Sequence, residues 1–466
     1  MTKDKSYYFC GIGGSGMQPL AMIVRESGAE VSGSDRALDQ GRLAAKFEWL
    51  KGKGIGLFPQ DGSGITSGDQ ILVASAAIED SVPDVAKAKS LGCKRMTRAE
   101  LLAEQFNASP QSVAIGGTSG KSTVTGMIGW ILTQAGLDPT IMNGAVMKNF
   151  VADDAPFASS RVGNGGIMVS EVDESDGSIA LFNPDIAVLN NVSLDHKSLE
   201  ELRQLFGDFA SKASHCVWNR DDPETASLVG GLDLQGAISF GFSEGSDFRA
   251  TAINEALISS RFTLSTGGEE FTVTLQVPGH HNIANALAAI AAASAVGVPV
   301  AQSVAAISSF SGLARRFDVV GTVNEISVID DFGHNPDKIA ATLKTMKAFP
   351  GRIIAFFQPH GFGPIKKMGS ELSQVFAEIL DKDDCVILCD PVYFGGTVDR
   401  TISSESIVEA VKGPGGNAKY IASRADCGEY IVEIAKPRDR IVIMGARDDT
   451  LSIFASDILR KLSGKS

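Results

Sequence analysis

The order of apolar and polar positions predicts short buried strands that alternate with helices. Mostly apolar runs too short for a helix occur at residues 7–10, 73–78, 167–170 and 186–192, and a further short strand is predicted at residues 30–33. Segments with helical spacing follow several of them. Strands that alternate with helices in this way form parallel sheets. We therefore predict an α/β protein whose first and last domains are Rossmann-like sheets.

Two later segments depart from this alternation. Residues 247–258, 261–266 and 270–277 alternate apolar and polar side chains, which predicts a small antiparallel region. Residues 284–300 are rich in alanine and include Pro299. They are too short and too weakly apolar to span a bilayer, so we predict a buried helix.

A Gly-rich turn at residues 116–123 connects a predicted strand to a predicted helix and indicates phosphate binding. Backbone N–H groups at a helix N-terminus bind phosphate, a lysine adds positive charge, and a following serine hydroxyl can ligate Mg²⁺. The first glycine of the usual P-loop pattern is absent, because Ile115 occupies its position. The predicted ATP-binding residues are Gly117, Thr118, Ser119, Gly120, Lys121, Ser122 and Thr123. Of these, Lys121 is also predicted to be catalytic and Ser122 to be a metal ligand.

A second Gly-rich turn lies near the N-terminus. It fits the dinucleotide pattern G-x-G-x-x-G, with an acidic residue about 20 positions later. It would suit a nicotinamide-dependent oxidoreductase, but no second half of such a domain precedes the phosphate loop. Whichever nucleotide this turn binds, the glycines would bring the backbone close to its diphosphate, and the acidic residue would lie near a sugar hydroxyl. The residues concerned are Gly11, Gly13, Gly14, Ser15, Gly16, Met17 and Asp35.

Four carboxylates follow the strand predicted at residues 167–170. They are Glu171, Asp173, Glu174 and Asp176. Like charges at short range raise one another's pKa, and Mg²⁺ relieves that repulsion. The next strand leads to His196, and the C-terminal end of a strand faces the ligand crevice of an open α/β sheet. The sequence therefore predicts a cation site at this edge.

Composition and charge narrow the class of protein. Of the 466 residues, 44% are apolar and 21% are charged, and the formal net charge is −13. An acidic surface argues against nucleic-acid binding, which needs clustered Lys and Arg. Cys385 and Cys389 are interpreted as two small core residues of one strand. Because the N-terminus lacks the apolar stretch of a signal peptide, we expect a cytoplasmic protein without membrane contact.

Six motifs, in order along the chain, resemble those of the Mur ligase superfamily. They are G-T-x-G-K-S-T at residues 117–123, E-x-D-E-S-D at 171–176, N-x-x-x-D-H at 191–196, P-G-x-H-N-x-x-N at 278–285, F-x-G-x-x-R-R at 310–316 and D-D-x-G-H-x-P at 330–336. Members of this superfamily use ATP to join a carboxylate to an amine in cell-wall synthesis. The opening G-I-G-G-S-G-M resembles the branch that binds UDP-N-acetylmuramate.

The resemblance implies further site residues. By the matching motifs, Glu171 and His196 ligate Mg²⁺, and Arg316 reaches the ATP phosphate and the acyl phosphate. Asp331 and His334 face the incoming amine and the γ-phosphate, so Arg316, Asp331 and His334 are predicted to be catalytic. The other implied residues are His281, Asn282 and Asn285 for ATP, Ser75 and Ala76 for the UDP moiety, and His334, His360 and Lys366 for the amine substrate.

The chain departs from the motifs of the resembling family at several positions. Phe332 replaces a tyrosine, and Phe206 occupies the position at which many relatives carry a carbamylated lysine. Gly361 replaces an arginine thought to face the carboxylate of the amino acid. Either Lys366 or Lys367 takes over that carboxylate, or the amine substrate is not free L-alanine.

We therefore expect an ATP- and Mg²⁺-dependent ligase that joins UDP-N-acetylmuramate to L-alanine or another amino acid through an acyl phosphate. The predicted domains are 1–107 for the UDP-sugar, 108–313 for ATP and 314–466 for the amine. The alternatives are a ligase that recycles a preformed peptide, a paralogue that binds UDP-sugar or nucleotide without ligating, a nicotinamide oxidoreductase and a P-loop switch. Monomer and homodimer both remain open.

Overall fold

The structure is a computed structural model of the whole chain. It describes residues 4–75, 78–193, 197–392, 403–446 and 448–464. Two of the predicted site residues, Ala76 and His196, lie outside the described residues.

The first sheet has five parallel strands. Its strands are β1 (Ser6–Cys10), β2 (Glu30–Ser34), β3 (Gly56–Phe58), β4 (Ile71–Ala74) and β5 (Arg95–Thr97). Its helices are α1 (Met17–Glu26), α2 (Arg36–Asp39), α3 (Ala44–Gly52), α4 (Pro83–Leu91) and α5 (Arg98–Asn107). The strand order β3-β2-β1-β4-β5 reverses beside β1, so a crevice lies at the carboxyl ends of β1 and β4.

A ten-stranded sheet follows. Its strands are β6 (Gln111–Gly116), β7 (Thr140–Met142), β8 (Ser160–Arg161), β9 (Ile167–Glu171), β10 (Ile186–Leu189), β11 (His215–Asn219), β12 (Ala237–Gly241), β13 (Phe248–Ala256), β14 (Ser259–Thr266) and β15 (Glu269–Leu275). Its helices are α6 (Lys121–Gln134), α7 (Leu199–Ser211), α8 (Pro223–Gly230), α9 (His280–Val296) and α10 (Val300–Ile307). The order is β15-β14-β13-β12-β11-β10-β6-β9-β7-β8. Strand β6 therefore lies between β9 and β10, which brings three predicted motifs to one edge.

The predicted antiparallel region continues this second sheet. Strands β14 and β15 pair antiparallel, as the alternating pattern predicts. Strand β13, however, pairs parallel with β12 through Phe240 and Phe248. The predicted buried helix is present as α9, where eleven side chains are buried, and Pro299 precedes α10.

A third sheet has six strands. They are β16 (Asp318–Val323), β17 (Ile326–Asp331), β18 (Ile353–Gln358), β19 (Cys385–Leu388), β20 (Ala418–Tyr420) and β21 (Arg440–Gly445). Its helices are α11 (Pro336–Lys347), α12 (Phe362–Ile379), α13 (Ser404–Lys412), α14 (Arg424–Ile434) and α15 (Thr450–Ser463). The order is β16-β17-β21-β18-β19-β20, and only the edge strand β16 is antiparallel.

Both faces of the third sheet are covered. Along β18, Ala355 and Phe357 join one buried cluster, whereas Ile354 and Phe356 join another on the opposite face. Successive strand residues point to opposite faces, so continuous burial requires helices on both sides. Cys385 and Cys389 both belong to the second of these clusters, which confirms their interpretation as core residues.

Local sequence signals fix several helix ends. Thr97 and Glu100 form a capping box at the start of α5, and Ser198 and Glu201 form another at α7. Helix α11 begins with Pro336, after Asn335 accepts a hydrogen bond from the Lys338 backbone. These caps place the loops that precede each helix.

The chain divides into two compact units. The first holds the first two sheets; it extends to Asn254 and includes Ser260–Gln276 and His280–Ser311. The second holds the third sheet; it extends from Gly312 and includes Glu255–Ser259 and Val277–Gly279. Within the first unit, the first two sheets share one apolar cluster, in which the rings of Phe106 and Phe182 lie edge to face. Among the helices that the structure describes, none has the length and apolar character needed to cross a bilayer.

Candidate active site

The phosphate loop lies between β6 and α6, as the sequence predicts. Gly117 and Gly120 have φ values of +130° and +85°, a backbone region that side chains disfavour. Space also requires glycine at position 120. A Cβ there would lie 2.3 Å from Nδ2 of Asn190 and 2.6 Å from Oδ1 of Asn285. The loop is therefore built against two asparagine side chains.

The loop is held by the segment that follows β10. The Ser119 backbone N–H donates to Oδ1 of Asn191 (2.8 Å), and Nδ2 of Asn190 donates to the Ser119 carbonyl (2.9 Å). The Thr118 N–H donates to the Asn191 carbonyl (3.1 Å). Sequence reasoning gave no role to Asn190, or to Asn191, although Asn191 is the first residue of the N-x-x-x-D-H motif. Their position at the end of the strand beside β6 is the signal that could have found them.

Asn285 also reaches the phosphate loop, and Asn282 contacts Asn285. Oδ1 of Asn285 accepts a hydrogen bond from Nδ2 of Asn190 (3.1 Å), and Nδ2 of Asn285 donates to Asn282 (3.2 Å). Both residues are buried in the first two turns of α9, whereas His281 is exposed. The preceding residue, His280, stacks on Phe242 with ring centroids 4.1 Å apart.

Two pairs of polar side chains connect the start of α6 to the segment after β9. Nζ of Lys121 donates to Oε2 of Glu174 (2.8 Å) and to the Gly117 carbonyl (2.7 Å). Oγ of Ser122 donates to Oε2 of Glu171 (2.7 Å). Strands β6 and β9 are neighbours, so their carboxyl ends bring the two motifs together.

These oxygens fit a hard divalent cation. Mg²⁺ is bound in proteins through one or two carboxylates together with hydroxyl, water and phosphate oxygens. The hydrogen-bonded oxygens of Ser122 and Glu171 supply the hydroxyl and one carboxylate. Among the described residues, no group of three or more His, Cys, Asp and Glu side chains could hold a metal. His196, the other predicted ligand, lies outside them.

Asn143 is a further residue of this cluster that the sequence did not indicate. Its Nδ2 donates to the Ser122 carbonyl (2.9 Å), and its Oδ1 accepts from the Ala145 N–H (2.9 Å). A Cβ at Gly144 would lie 2.2 Å from Oε1 of Glu171. The turn after β7 therefore contacts the backbone of Ser122 and lies against the side chain of Glu171.

Asp173 remains ionised although it is largely buried. Burial alone would raise its pKa. Hydrogen bonds from the Ser175 hydroxyl and N–H, together with the charges of Lys121 and Arg98, lower the pKa below its usual value. The segment thus keeps at least one fixed negative charge close to the phosphate loop.

In the first sheet, Asp35 serves the glycine-rich loop. Its Oδ2 accepts the Gly13 N–H (2.8 Å), and its Oδ1 accepts the Ala37 N–H (2.7 Å) at the start of α2. The sequence predicts that this carboxylate lies near a sugar hydroxyl. In the structure both carboxylate oxygens of Asp35 accept hydrogen bonds from backbone N–H groups. This arrangement favours a role in positioning the loop. Ser75 lies just after β4, at the carboxyl edge of the same sheet.

In the second unit, the carboxylate of Asp331 likewise accepts hydrogen bonds from neighbouring protein groups. One oxygen accepts the Phe317 N–H (2.8 Å), and the other accepts the Gly333 N–H (2.8 Å) and the Thr342 hydroxyl (2.9 Å). These bonds favour a positioning role over direct proton transfer. They hold the turn that carries His334.

His334 is held as a neutral imidazole. Its Nδ1 lies 3.0 Å from the Phe332 carbonyl, which requires Nδ1–H as donor and leaves Nε2 as an acceptor. Burial lowers the pKa of His334 to about 4. The ring packs edge-on against those of Phe332 and His360, with centroids 5.4 Å apart in each case. His334 and His360 are therefore together at the carboxyl ends of β17 and β18.

The two adjacent arginines differ. The buried Arg315 donates to the carbonyls of Gly445 (2.5 Å) and Asp448 (3.0 Å), which is a structural role. The Arg316 guanidinium lies over the Phe332 ring, 4.6 Å from its centroid. A phenylalanine at position 332 thus gives Arg316 a flat surface. Lys366 and Lys367 are exposed on α12.

Comparison with known proteins identifies the family. Three family profiles match in order: "Mur ligase family, catalytic domain" over residues 6–109, "Mur ligase middle domain" over 115–293 and "Mur ligase, glutamate ligase domain" over 315–447. The chain belongs to the Mur ligase family. It is therefore an ATP-dependent ligase that joins an acid to an amino acid, with three α/β domains.

Curated relatives match this Mur ligase along its length. The UDP-N-acetylmuramate–L-alanine ligase of Jannaschia sp. (strain CCS1) is 33% identical over 99% of this chain and 96% of its own. The enzyme of that name from Geotalea uraniireducens (strain Rf4) is 34% identical over 95% of each.

Solved structures agree with the fold. The UDP-N-acetylmuramate–alanine ligase of Thermotoga maritima has a TM-score of 0.81 at 23% identity, covering 99% of this chain and all of that one. A murein peptide ligase of Psychrobacter arcticus has a TM-score of 0.72 at 25% identity, covering 99% of each chain.

The phosphate loop of this Mur ligase yields a first prediction. Replacing Gly120 with alanine places a methyl group against Asn190 and Asn285, so the loop must move. Misplacement by about 1 Å costs roughly 10²-fold in rate. We expect Gly120→Ala to lower ATP-dependent phosphate release by about that factor. Gly136→Ala is the matched control, because Gly136 also has positive φ (+77°) but no neighbouring atom within 4 Å of the added Cβ. Equal activities of the two variants would contradict the packing argument.

The buried imidazole yields a second prediction, on stability. Between pH 6.5 and about 4, the unfolded chain binds a proton at residue 334 that the folded chain does not bind. The free energy of unfolding of the wild type should therefore fall, relative to His334→Gln, as the pH is lowered through this window. Denaturant unfolding of both proteins at pH 7.0 and 4.5 measures the difference. Parallel changes in the two proteins would show that His334 is not held neutral.

Proposed function

We propose that this Mur ligase joins the carboxylate of UDP-N-acetylmuramate to the amino group of L-alanine, with ATP and Mg²⁺. The observation that carries the proposal is the arrangement at the start of α6, where Lys121 and Ser122 meet Glu174 and Glu171. The names of the full-length relatives supply the substrate pair. Residues 1–107, 108–313 and 314–466 are the proposed UDP-sugar, ATP and amine domains.

The reaction requires activation of a poor electrophile. Attack of the sugar carboxylate on the γ-phosphorus of ATP forms an acyl phosphate and releases ADP. The amine then attacks the acyl carbon, and phosphate leaves. The Lys121 ammonium counters the negative charge that develops on the transferring phosphoryl group. Mg²⁺ held at the Ser122–Glu171 pair, and by His196, would supply further Lewis-acid stabilisation of the phosphate oxygens.

Lys121 has to change partner for this step. In the structure its ammonium pairs with the buried carboxylate of Glu174. A lysine on a flexible stem can swing from that carboxylate to a bound phosphate. Glu174 then keeps the ammonium aimed at the loop in the absence of nucleotide. Asn282 and Asn285 support the same loop from α9.

In the third domain, His334 is the proposed proton acceptor. An ammonium must lose a proton before its nitrogen can attack. Nε2 of the neutral imidazole is available as an acceptor because Nδ1 is hydrogen-bonded to the Phe332 carbonyl. Asp331 positions the turn, and Arg316, supported by Phe332, is the proposed partner of the phosphate. We also propose a cytoplasmic location, where ATP and the nucleotide sugar occur.

The alternative in the same class is a ligase that attaches a preformed peptide. Gly361 supplies no basic group for the amino-acid carboxylate, so Lys366, exposed on α12, is the basic residue proposed to bind it. A peptide ligase would not need one close to the amine. The experiment below distinguishes L-alanine from a preformed peptide as the amine substrate.

The test is release of phosphate from ATP and Mg²⁺ in the presence of UDP-N-acetylmuramate and one amine at a time. The amines are L-alanine, glycine, L-serine and L-alanyl-γ-D-glutamyl-diaminopimelate. We expect release that depends on both the sugar acid and L-alanine. Lys121→Ala should lower it by roughly 10²–10³-fold, since a donor to the transferring group is lost. The control is Lys412→Ala, which removes an exposed lysine paired with Glu409.

Phosphate release with the peptide and with no other amine would identify the protein as a ligase that recycles a preformed peptide. If UDP-N-acetylmuramate binds but no amine stimulates release, the ligase proposal for this substrate is wrong.

A further inference from the structure

We propose that Gln18 is a positioning residue that sets the spacing between the two glycine-rich loops. The inference rests on the proposed function, which assigns the nucleotide sugar to the first loop and ATP to the second. Phosphoryl transfer needs the sugar carboxylate within about 3–3.5 Å of the γ-phosphorus. The two loops belong to different sheets, so contacts between those sheets have to fix their separation. A buried chain of hydrogen bonds supplies such contacts.

The chain of hydrogen bonds begins at the phosphate loop. The Ser122 carbonyl, at the start of α6, accepts a hydrogen bond from Nδ2 of Asn143 (2.9 Å). The Asn143 N–H donates to the Ser159 carbonyl (2.9 Å). Ser159 directly precedes β8, which pairs with β7. These bonds all lie within the second sheet and its loops.

Gln18 extends the chain of hydrogen bonds to the first sheet. Oγ of Ser159 donates to Oε1 of Gln18 (2.9 Å), and the two residues are 141 positions apart in sequence. Gln18 is the second residue of α1, and its N–H donates to the Gly14 carbonyl (2.9 Å). Its Nε2 lies 3.5 Å from the Phe157 carbonyl, which directs the amide oxygen at Ser159. The bonds therefore run from the start of α6 to the start of α1.

These hydrogen bonds lie in an apolar environment. The four residues from Ser122 to Gln18 are buried, and none is more than 9% exposed. The adjacent residues Met17 and Met142 belong to the apolar cluster that the first two sheets share. Apolar contacts have no preferred direction, whereas a hydrogen bond fixes both a distance and an angle. The polar chain therefore sets the placement of the two loops more closely than the apolar contacts around it.

The segment that carries Ser159 is also attached to the first sheet's helices at other points. Nε1 of Trp49, on α3, donates to the Asp154 carbonyl (2.9 Å). The rings of Trp49 and Phe157 lie with their centroids 5.5 Å apart. These contacts do not involve the Gln18 side chain. Removing that side chain should therefore shift the two loops slightly and leave the two sheets together.

The experiment measures the ADP formed in the first turnover by rapid quench, with saturating ATP, Mg²⁺ and UDP-N-acetylmuramate and without an amine. We expect Gln18→Leu to lower the rate constant about 10- to 100-fold, because a misplacement of about 1 Å has an effect of that size. The Kd values for ADP and for UDP, measured separately by calorimetry, should stay at the wild-type values. Thermal unfolding of each variant establishes that it is folded.

Ser159→Ala breaks the same hydrogen bond from the other side and should lower the rate constant in the same direction. The double variant Gln18→Leu/Ser159→Ala should lose no more than the more severe single variant, because both changes act through one bond. The double variant leaves neither partner of that bond unpaired, which makes it milder for folding than a single change. It therefore tests the inference even if Gln18→Leu alone does not fold.

Ser27→Ala is the matched control. Ser27 lies directly after the end of α1, and its hydroxyl donates to the Ile23 carbonyl (2.7 Å). The change removes one hydroxyl hydrogen bond from the same helix at the end far from the loop. It should leave the rate constant of the first turnover at the wild-type value.

The outcomes separate this inference from the function on which it rests. A wild-type rate constant in folded Gln18→Leu and Ser159→Ala would overturn the positioning role. Raised Kd values for ADP and UDP with an unchanged rate constant at saturation would show a purely structural role and overturn it as well. Losses that multiply in the double variant would contradict action through one bond. A wild-type protein that forms no ADP with UDP-N-acetylmuramate would contradict the proposed function, and the inference with it.

Discussion

The close approach of the phosphate loop to two asparagines is the constraint on which the active site depends. At Gly120 the backbone passes so near Asn190 and Asn285 that no side chain fits. Asn190 directly follows β10, the strand beside β6, and Asn285 comes from α9, 95 positions further along the chain. The loop is thereby fixed from two directions before any nucleotide is present. Pre-organised donors of this kind cost no reorganisation when charge moves during the reaction.

Hydrogen bonds join the polar side chains around that loop in pairs, one of which is an ion pair. Lys121 faces Glu174, Ser122 faces Glu171, and Asp173 stays ionised through its bonds to Ser175 and the charges around it. Removing one partner from such a buried pair leaves an uncompensated charge, which is more destabilising than losing both. The same pairs give the site a resting arrangement. On binding, an ATP phosphate would take the place of the Glu174 carboxylate beside Lys121. Mg²⁺ would take the place of the hydrogen bond between Ser122 and Glu171.

Much of the fold follows from the sequence because its signals are local. Strand–loop–helix order, the two glycine-rich turns and the capping residues of α5, α7 and α11 are each contained within a few positions. The residues that sequence reasoning missed, such as Asn143 and Asn190, act through contacts distant in sequence. Their roles depend on which strands are neighbours, and no local pattern contains that information.

The hydrogen-bond partners of the predicted site residues could not be predicted from the sequence either. Asp35 and Asp331 both occur where the motifs place them, yet their oxygens are taken by backbone N–H groups. An acidic residue in a motif can bind a ligand or hold the loop that does, and only the hydrogen bonds distinguish the two roles. Phe332 shows the converse. The sequence indicates a lost hydroxyl, whereas the structure reveals a ring beneath Arg316.

The central claim is that the phosphate loop activates a sugar carboxylate as an acyl phosphate. It is tested most directly by labelling both carboxylate oxygens of UDP-N-acetylmuramate with ¹⁸O and analysing the phosphate released during turnover with L-alanine by mass spectrometry. The account predicts one ¹⁸O atom in each phosphate released, because the bridging oxygen of the acyl phosphate comes from the carboxylate. Unlabelled phosphate, formed while the amide product accumulates, would contradict it.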